Sequence, residues 1–154
     1  MKLAIMYTSK TGHTEELVHF IRDLFFEKKI EVRLFRIEEF PILDLGAFDG
    51  VIVGTYTWGD GEIPSEMHAL YCAFETANVK HVVTGIVGTG DSFYPKFCGA
   101  VDAFRDMLYV HSNLAVTLKI EIALQTKDHE RCRRFVETFW KKLENGVRHH
   151  LELI

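Results

Sequence analysis

The sequence predicts an α/β protein, a doubly wound parallel β-sheet covered by helices on both faces in three layers. Three observations carry this expectation. Short apolar runs recur along the chain with helical patterns between them. Two of these runs, Val51-Ile52-Val53 and the stretch 82–87, are apolar without alternation, as central parallel strands buried on both faces must be. The segments between the runs place apolar residues three and four apart, which gathers them on one side of a helix. Strands that alternate with helices join through right-handed crossovers into a parallel sheet.

Taken in order, strands are expected at 2–7, 31–36, 50–54, 81–87 and 114–124. Leu17, Ile21, Leu24 and Phe25 mark the first helix, with Glu15 and Glu16 suited to the positive end of its dipole. Ser65, after Pro64, is placed to cap a second helix that carries Met67, Leu70, Tyr71 and Phe74. Val101, Phe104 and Leu108 mark a third. Cys132, Phe135, Val136, Phe139, Trp140 and Leu143 mark a fourth, which Gly146 can end. No repeat or low-complexity segment interrupts the pattern, so residues 1–154 are expected to form one domain.

Composition narrows the function. With 47% hydrophobic and 26% charged residues the chain is an ordinary globular sequence, not a disordered one. A net charge of −4 argues against a nucleic-acid partner and suits a basic protein partner. No apolar run approaches the ~18 residues of a spanning helix, so no membrane partner is expected. The N-terminus shows no signal-peptide layout, which predicts a cytoplasmic protein. Cys72, Cys98 and Cys132 lack metal-ligand spacing and read as free thiols. His149 and His150 read as a tail without companion ligands, so no metal site is expected.

In a doubly wound sheet, ligands bind beyond the carboxyl ends of the strands, where strand order switches. The loops after the first, third and fourth strands are the most unusual stretches of this chain. The first is Ser9-Lys10-Thr11-Gly12-His13-Thr14, which leads directly into a helix. Free N–H groups at the helix start and the helix dipole favour an anion, and the hydroxyls of Ser9, Thr11 and Thr14 suit phosphate oxygens. This is neither a Gly-Lys-Ser/Thr P-loop nor a Gly-x-Gly-x-x-Gly turn, and it holds no cysteine nucleophile. A merely capped helix start would account for Thr11 or Thr14 alone, not for four such residues in six.

The second loop is Thr55-Tyr56-Thr57-Trp58-Gly59-Asp60-Gly61-Glu62. An indole flanked by glycines and acids has little core to enter, and suits stacking on a flat heteroaromatic ring. Trp140, by contrast, reads as a core residue of its helix. The third loop runs from Gly88 through Thr89, Gly90, Asp91 and Tyr94 to Phe97, Cys98 and Gly99. It offers a second loop-borne ring and backbone donors for a polar ring edge. Phosphate at one end and a ring between Trp58 and Tyr94 at the other describe a mononucleotide.

These stretches, in this order and spacing, resemble the flavodoxins over essentially the whole chain. The resemblance rests on residues 7–15, 56–62 and 90–102, and a fifth strand without an insertion is similar to the short-chain members. It implies a flavodoxin-like five-stranded sheet of order 2-1-3-4-5 in a monomer that binds FMN non-covalently. Ser9, Thr11, Gly12 and Thr14, with the N–H groups of Lys10 and His13, would hold the phosphate. Trp58 and Tyr94 would cover the two flavin faces, and the N–H groups of Asp91 and Cys98 would meet the pyrimidine edge. The Gly59–Asp60 peptide corresponds to the one that turns its carbonyl toward flavin N5 after one-electron reduction. Thr55, Tyr56, Thr57, Thr89, Gly90 and Phe97 complete the expected cofactor-binding set. His13 stands where the family more often has asparagine, and the net charge is milder than is usual there.

What the resemblance implies for function is a low-potential one-electron carrier with no substrate turnover of its own. Its donor would be a flavin- or NADPH-dependent reductase, its acceptor an oxidase, desaturase or reductase system. Asp60, Glu62, Glu66 and Asp91 are expected to rim the flavin edge and to meet a basic docking face. At ~8 Å and an effective dielectric of ~20, one carboxylate opposes the reduced flavin's charge by about 2 kcal/mol. That corresponds to roughly 90 mV for a one-electron couple. A second reading is a flavodoxin-like FMN protein that activates a metallocofactor enzyme such as ribonucleotide reductase. A third is a flavin-free binding module on the same architecture. Trp58 and the stretch 90–102 match the electron carriers better.

Overall fold

The centre of the sheet is built from residues that can be apolar on both sides, and the layers follow from that. A computed structural model of the chain describes residues 1–145 and 150–153. Its elements in order are β1 (Leu3–Tyr7), α1 (His13–Glu27), β2 (Arg33–Arg36), β3 (Gly50–Tyr56), α2 (His68–Thr76), β4 (Val83–Gly90), α3 (Gly99–His111), β5 (Asn113–Glu121), α4 (His129–Asn145) and β6 (Leu151–Leu153). All neighbouring strands pair in parallel.

Successive residues of β1 and β3 point to opposite faces, so each strand feeds two cores. On one face Ile5 and Ile52 pack with Leu17, Ile21 and Phe25 of α1 and with Phe135 and Phe139 of α4. On the other, Met6, Val51 and Val53 pack with Leu70 and Phe74 of α2 and with Val101, Phe104 and Leu108 of α3. Every residue named here is 1% exposed or less. The periodicity that marked the helices is therefore the periodicity of their buried sides.

Strand order is 2-1-3-4-5-6. The expected order 2-1-3-4-5 holds, and a sixth strand extends it. β6 pairs Leu151, Glu152 and Leu153 with Val116, Thr117 and Leu118 of β5. The strand follows directly on His150, one of the two histidines read as a tail. At its entrance His150 Nε2 lies 2.7 Å from Thr117 Oγ1. Burial lowers the pKa of that imidazole, with the charges of Arg105 and Lys142 working in the same direction and Glu152 against them. Gly146 and His149 lie outside the described residues.

Several boundaries differ from expectation for physical reasons. β3 continues to Tyr56 and β4 to Gly90, because the two strands pair in register through Tyr56 and Thr89. Thr55, Tyr56, Thr89 and Gly90 therefore sit at strand ends, not in loops. β5 stops at Glu121 because Ile122 turns to φ +58° and donates its N–H to the Gly90 carbonyl at 2.7 Å. Ser65 caps nothing: it opens a single 3-10 turn, Ser65–Met67, and α2 starts at His68. β2 is four residues long on an exposed edge. Trp140 is half-buried and packs against the α1/α4 core. No helix among the described residues is long and apolar enough to cross a membrane.

Candidate cofactor site

The carboxyl ends of β1, β3 and β4 bring the three unusual stretches to one end of the sheet. Between β1 and α1 the chain turns through Gly12 in a left-handed conformation. Ser9 organises this turn: its Oγ accepts the N–H groups of Gly12 and Glu15, each at 3.2 Å. Among the described residues, the N–H groups of Lys10, Thr11, His13 and Thr14 have no protein acceptor. A row of unpaired donors on the positive end of a 15-residue helix is an anion site. Thr11 is exposed, whereas Thr14 is buried, with its hydroxyl 3.0 Å from that of Thr89. Thr89 thus supports the nest from beneath, through β4.

Trp58 and Glu62 form an isolated antiparallel bridge, with N–H to carbonyl bonds of 2.8 Å and 2.7 Å in the two directions. The bridge throws Gly59, Asp60 and Gly61 into a tight tip. Gly59 adopts φ +52° and Gly61 φ +85°, which side chains with a Cβ resist. The tip rests on α3: a Cβ at Gly99 would lie 2.7 Å from both the Cα and the carbonyl oxygen of Gly61. Thr57 ties the same two elements, its hydroxyl accepting the Ala100 N–H at 3.2 Å. That remote cap supplies α3 with what Cys98, its own N-cap residue, does not.

Across from this hairpin, Asp91 Oδ1 accepts the Phe93 N–H at 2.9 Å, and the Asp91 carbonyl accepts the Tyr94 N–H at 3.1 Å. This local turn presents Tyr94 outward. Between the two loops lies a cleft of about 610 Å3, walled by Thr57–Asp60 on one side and by Gly90, Asp91, Tyr94, Lys96 and Cys98 on the other. Trp58 is 48% exposed and Tyr94 63%, so both rings face solvent where they wall the cleft. The N–H groups of Asp91 and Cys98 have no protein acceptor among the described residues.

Cys98 lies at the cleft's floor with φ +52° and its Sγ 4.0 Å from the Gly88 and Ile120 carbonyls. Burial pushes its thiol up to about 12, so it is neutral and no nucleophile. Lys96 Nζ approaches Asp60 Oδ2 at 3.8 Å and offsets part of the acidic rim. Glu66, expected at that rim, is turned elsewhere. Its Oε2 accepts Thr8 Oγ1 at 2.7 Å and Tyr56 O–H at 2.8 Å. Burial alone would raise its pKa, but these hydrogen bonds and the nearby Lys10 charge hold it below the usual carboxylate value. Burial and the bond to Glu66 push Tyr56 up to about 12.

Among the expected ring-side residues, Thr55, Tyr56, Thr89 and Phe97 do not line the cleft; Tyr56 turns to Glu66 and Thr89 to Thr14. Thr55 is fully buried and donates to the Tyr56 carbonyl at 2.7 Å. Phe97 is half-buried on the α2/α3 core, with Lys119 Nζ 5.9 Å from its ring centroid. Lys96, which does line the cleft, escaped sequence reasoning, although a lysine between Pro95 and Phe97 in a ring-bearing loop was the available signal.

The residues present fit a mononucleotide carrying a flat ring. Unpaired donors wait at one end, two exposed rings flank the middle, and free N–H groups stand at the far wall. A family model described as Flavodoxin matches residues 5–135. Probable flavodoxin 1 of Bacillus subtilis is 36% identical over 97% of this chain and 98% of its own. The flavodoxin of Maridesulfovibrio salexigens is 38% identical over 70% of this chain and 75% of its own. The solved oxidised flavodoxin 1 of Bacillus cereus superposes with a TM-score of 0.85 at 31% identity, covering 92% of this chain and 98% of that one. A Streptococcus pneumoniae TIGR4 flavodoxin gives a TM-score of 0.86 at 31% identity, over 92% and 99%. With its sheet order, its nest beside a ring-walled cleft and these relatives, the chain belongs to the flavodoxin family, the FMN-dependent electron carriers.

Proposed function

We propose that the end-of-sheet cleft holds FMN with its ring between Trp58 and Tyr94 and its phosphate in the nest at 9–14. The observation that carries this reading is the cleft between the hairpin 58–62 and the turn 91–94, with unpaired N–H donors at its side. In this arrangement Ser9, Thr11, Gly12 and Thr14 and the N–H groups of Lys10 and His13 anchor the phosphate. Thr14, braced by Thr89, keeps a hydroxyl at the helix start. The Asp91 and Cys98 N–H groups take the polar ring edge, while Gly90 allows Cys98 to approach: a Cβ there would meet Cys98 Sγ at 2.9 Å. Thr57 works through α3, and Tyr56 through Glu66. Thr55 and Phe97 serve as support behind the cleft.

Bound FMN supplies one-electron chemistry, and the protein sets its potential. Gly59 leaves its peptide free to present either the N–H or the carbonyl to the cleft. Asp60, Glu62 and Asp91 oppose added negative charge, which makes the second couple reducing, and Lys96 moderates this. The protein acts as a single-domain, monomeric, cytoplasmic shuttle without a substrate of its own. It takes electrons from a flavin- or NADPH-dependent reductase and delivers them to an oxidase, desaturase or reductase system. Its visible spectrum, as purified or after addition of FMN, followed by stepwise reduction, tests this. A yellow protein with two separated one-electron midpoints is the expected result, and a colourless protein that ignores FMN contradicts it.

A further inference from the structure

Lys10 belongs to the nest turn by position, but its side chain leaves the nest. Its ammonium sits over the indole of Trp58, 4.0 Å from the ring centroid. Trp58 borders two hollows. The wall of the larger cleft includes Trp58 and not Lys10. The smaller, about 150 Å3, is bounded by Lys10, Tyr56, Trp58, Pro64, Ser65 and Glu66. Lys10 and the indole thus border the smaller hollow together. There Glu66 joins the end of β1 to the end of β3 through Thr8 and Tyr56. A ring with a cation on one face is held as a wall for whatever meets the other.

We infer that Lys10 is a positioning residue whose cation–π contact with Trp58 ties the phosphate-binding turn to the ring-stacking hairpin. The phosphate end and the ring end of the ligand are then read by coupled elements. The inference rests on Trp58 being a wall of the flavin site, as proposed above. The rival role for a lysine in such a turn is that of a counter-ion to the phosphate. An ammonium placed over the indole instead of the nest favours the positioning role. The two roles separate on riboflavin, which carries the ring system and no phosphate.

The test titrates FMN-free protein with riboflavin and with FMN, following flavin fluorescence, for wild type, Lys10→Met, Lys10→Arg, Trp58→Ala and the Lys10→Met/Trp58→Ala pair. Lys10→Met is expected to weaken riboflavin binding about 2- to 5-fold, the scale of an exposed cation–π contact. Lys10→Arg should keep most of the affinity, since a guanidinium also stacks on rings. In the Trp58→Ala background the Lys10 substitution should cost nothing further in riboflavin affinity. Without any flavin, Lys10→Met should reduce the near-ultraviolet circular dichroism of Trp58 in a Trp140→Phe background. A loss confined to FMN, with riboflavin unaffected, overturns the inference and makes Lys10 the counter-ion. If Trp58→Ala weakens riboflavin and Lys10→Met does not, only the Lys10 inference falls. If Trp58→Ala itself leaves riboflavin affinity at the wild-type value, the proposed flavin wall falls with it.

Discussion

At the scale of single residues, the site depends on positions where backbone geometry dictates the side chain. Gly59 is at φ +52° with no atom closer than 4.0 Å to where a Cβ would stand, so substitution costs conformation and not space. Gly59→Ala should therefore bind FMN yet restrict the Gly59–Asp60 peptide, and the gap between the two midpoints in a redox titration should narrow. An unchanged gap would remove the peptide from the account. Gly99 is the opposite case, because there the obstacle is the backbone of Gly61 at 2.7 Å. Gly99→Ala should push the hairpin off α3 and weaken FMN binding at least about tenfold, an effect of ~1.4 kcal/mol. Lys96 lays its stem against Gly61 and carries its charge to the rim, and methionine keeps the stem without the charge. Lys96→Met leaves Asp60 unopposed, and the second midpoint should fall by on the order of 20 mV, as expected for a well-solvated unit charge at this range. A rise would show that Lys96 does not offset the rim.

Elements show what could and could not be read in advance. The helices were legible because Leu17, Ile21, Phe25, Phe135 and Phe139 repeat at helical spacing and all face the core. The nest and the two ring-bearing loops were legible because glycines, hydroxyls and Trp58 gather after apolar runs. β6 was not legible. Three residues hold no measurable period, and their pairing with β5 lies across the whole of α4. Nor could Thr57 be seen as a cap for α3, since its partner Ala100 is 43 positions away. Glu66 looked like any exposed acid until the fold brought Thr8 and Tyr56 to it.

Two predictions belong to the β5–β6 edge. Lys119 is 8% exposed and pairs with Asp102 at 2.7 Å, which also takes Arg105 at 2.9 Å; Arg105 in turn reaches Glu152 of β6 at 2.9 Å. Asp102→Ala strands the buried ammonium and should cost about 2 kcal/mol, discounted for the partial exposure of Asp102. Lys119→Met should cost clearly less in denaturant melts, and equal losses would contradict this. His150 has a folded pKa below its unfolded one, so the unfolded chain binds more protons in the window between them. Its contribution is complete above the unfolded value near 6.5 and is lost as pH falls from there through the lower folded value. Relative to His150→Asn, wild type should gain stability on going from pH 5 to pH 8. Parallel curves would exclude His150 as the cause.

For the whole molecule, the sheet gathers its chemistry at one end and its charge around it. Asp60, Glu62 and Asp91 are exposed beside the cleft in a chain of net charge −4. Small, transient redox encounters of this kind are steered by charge more than held by area. Reduction of a basic acceptor should slow as ionic strength rises, and a flat response would argue against steering. All of this presupposes that one flat ring lies between Trp58 and Tyr94. The most direct measurement is the FMN dissociation constant of Trp58→Ala, Tyr94→Ala and the double variant. Loss of both rings should weaken binding by about tenfold or more, from stacking alone, with both midpoints displaced. Wild-type affinity and unmoved midpoints in the double variant would contradict the account.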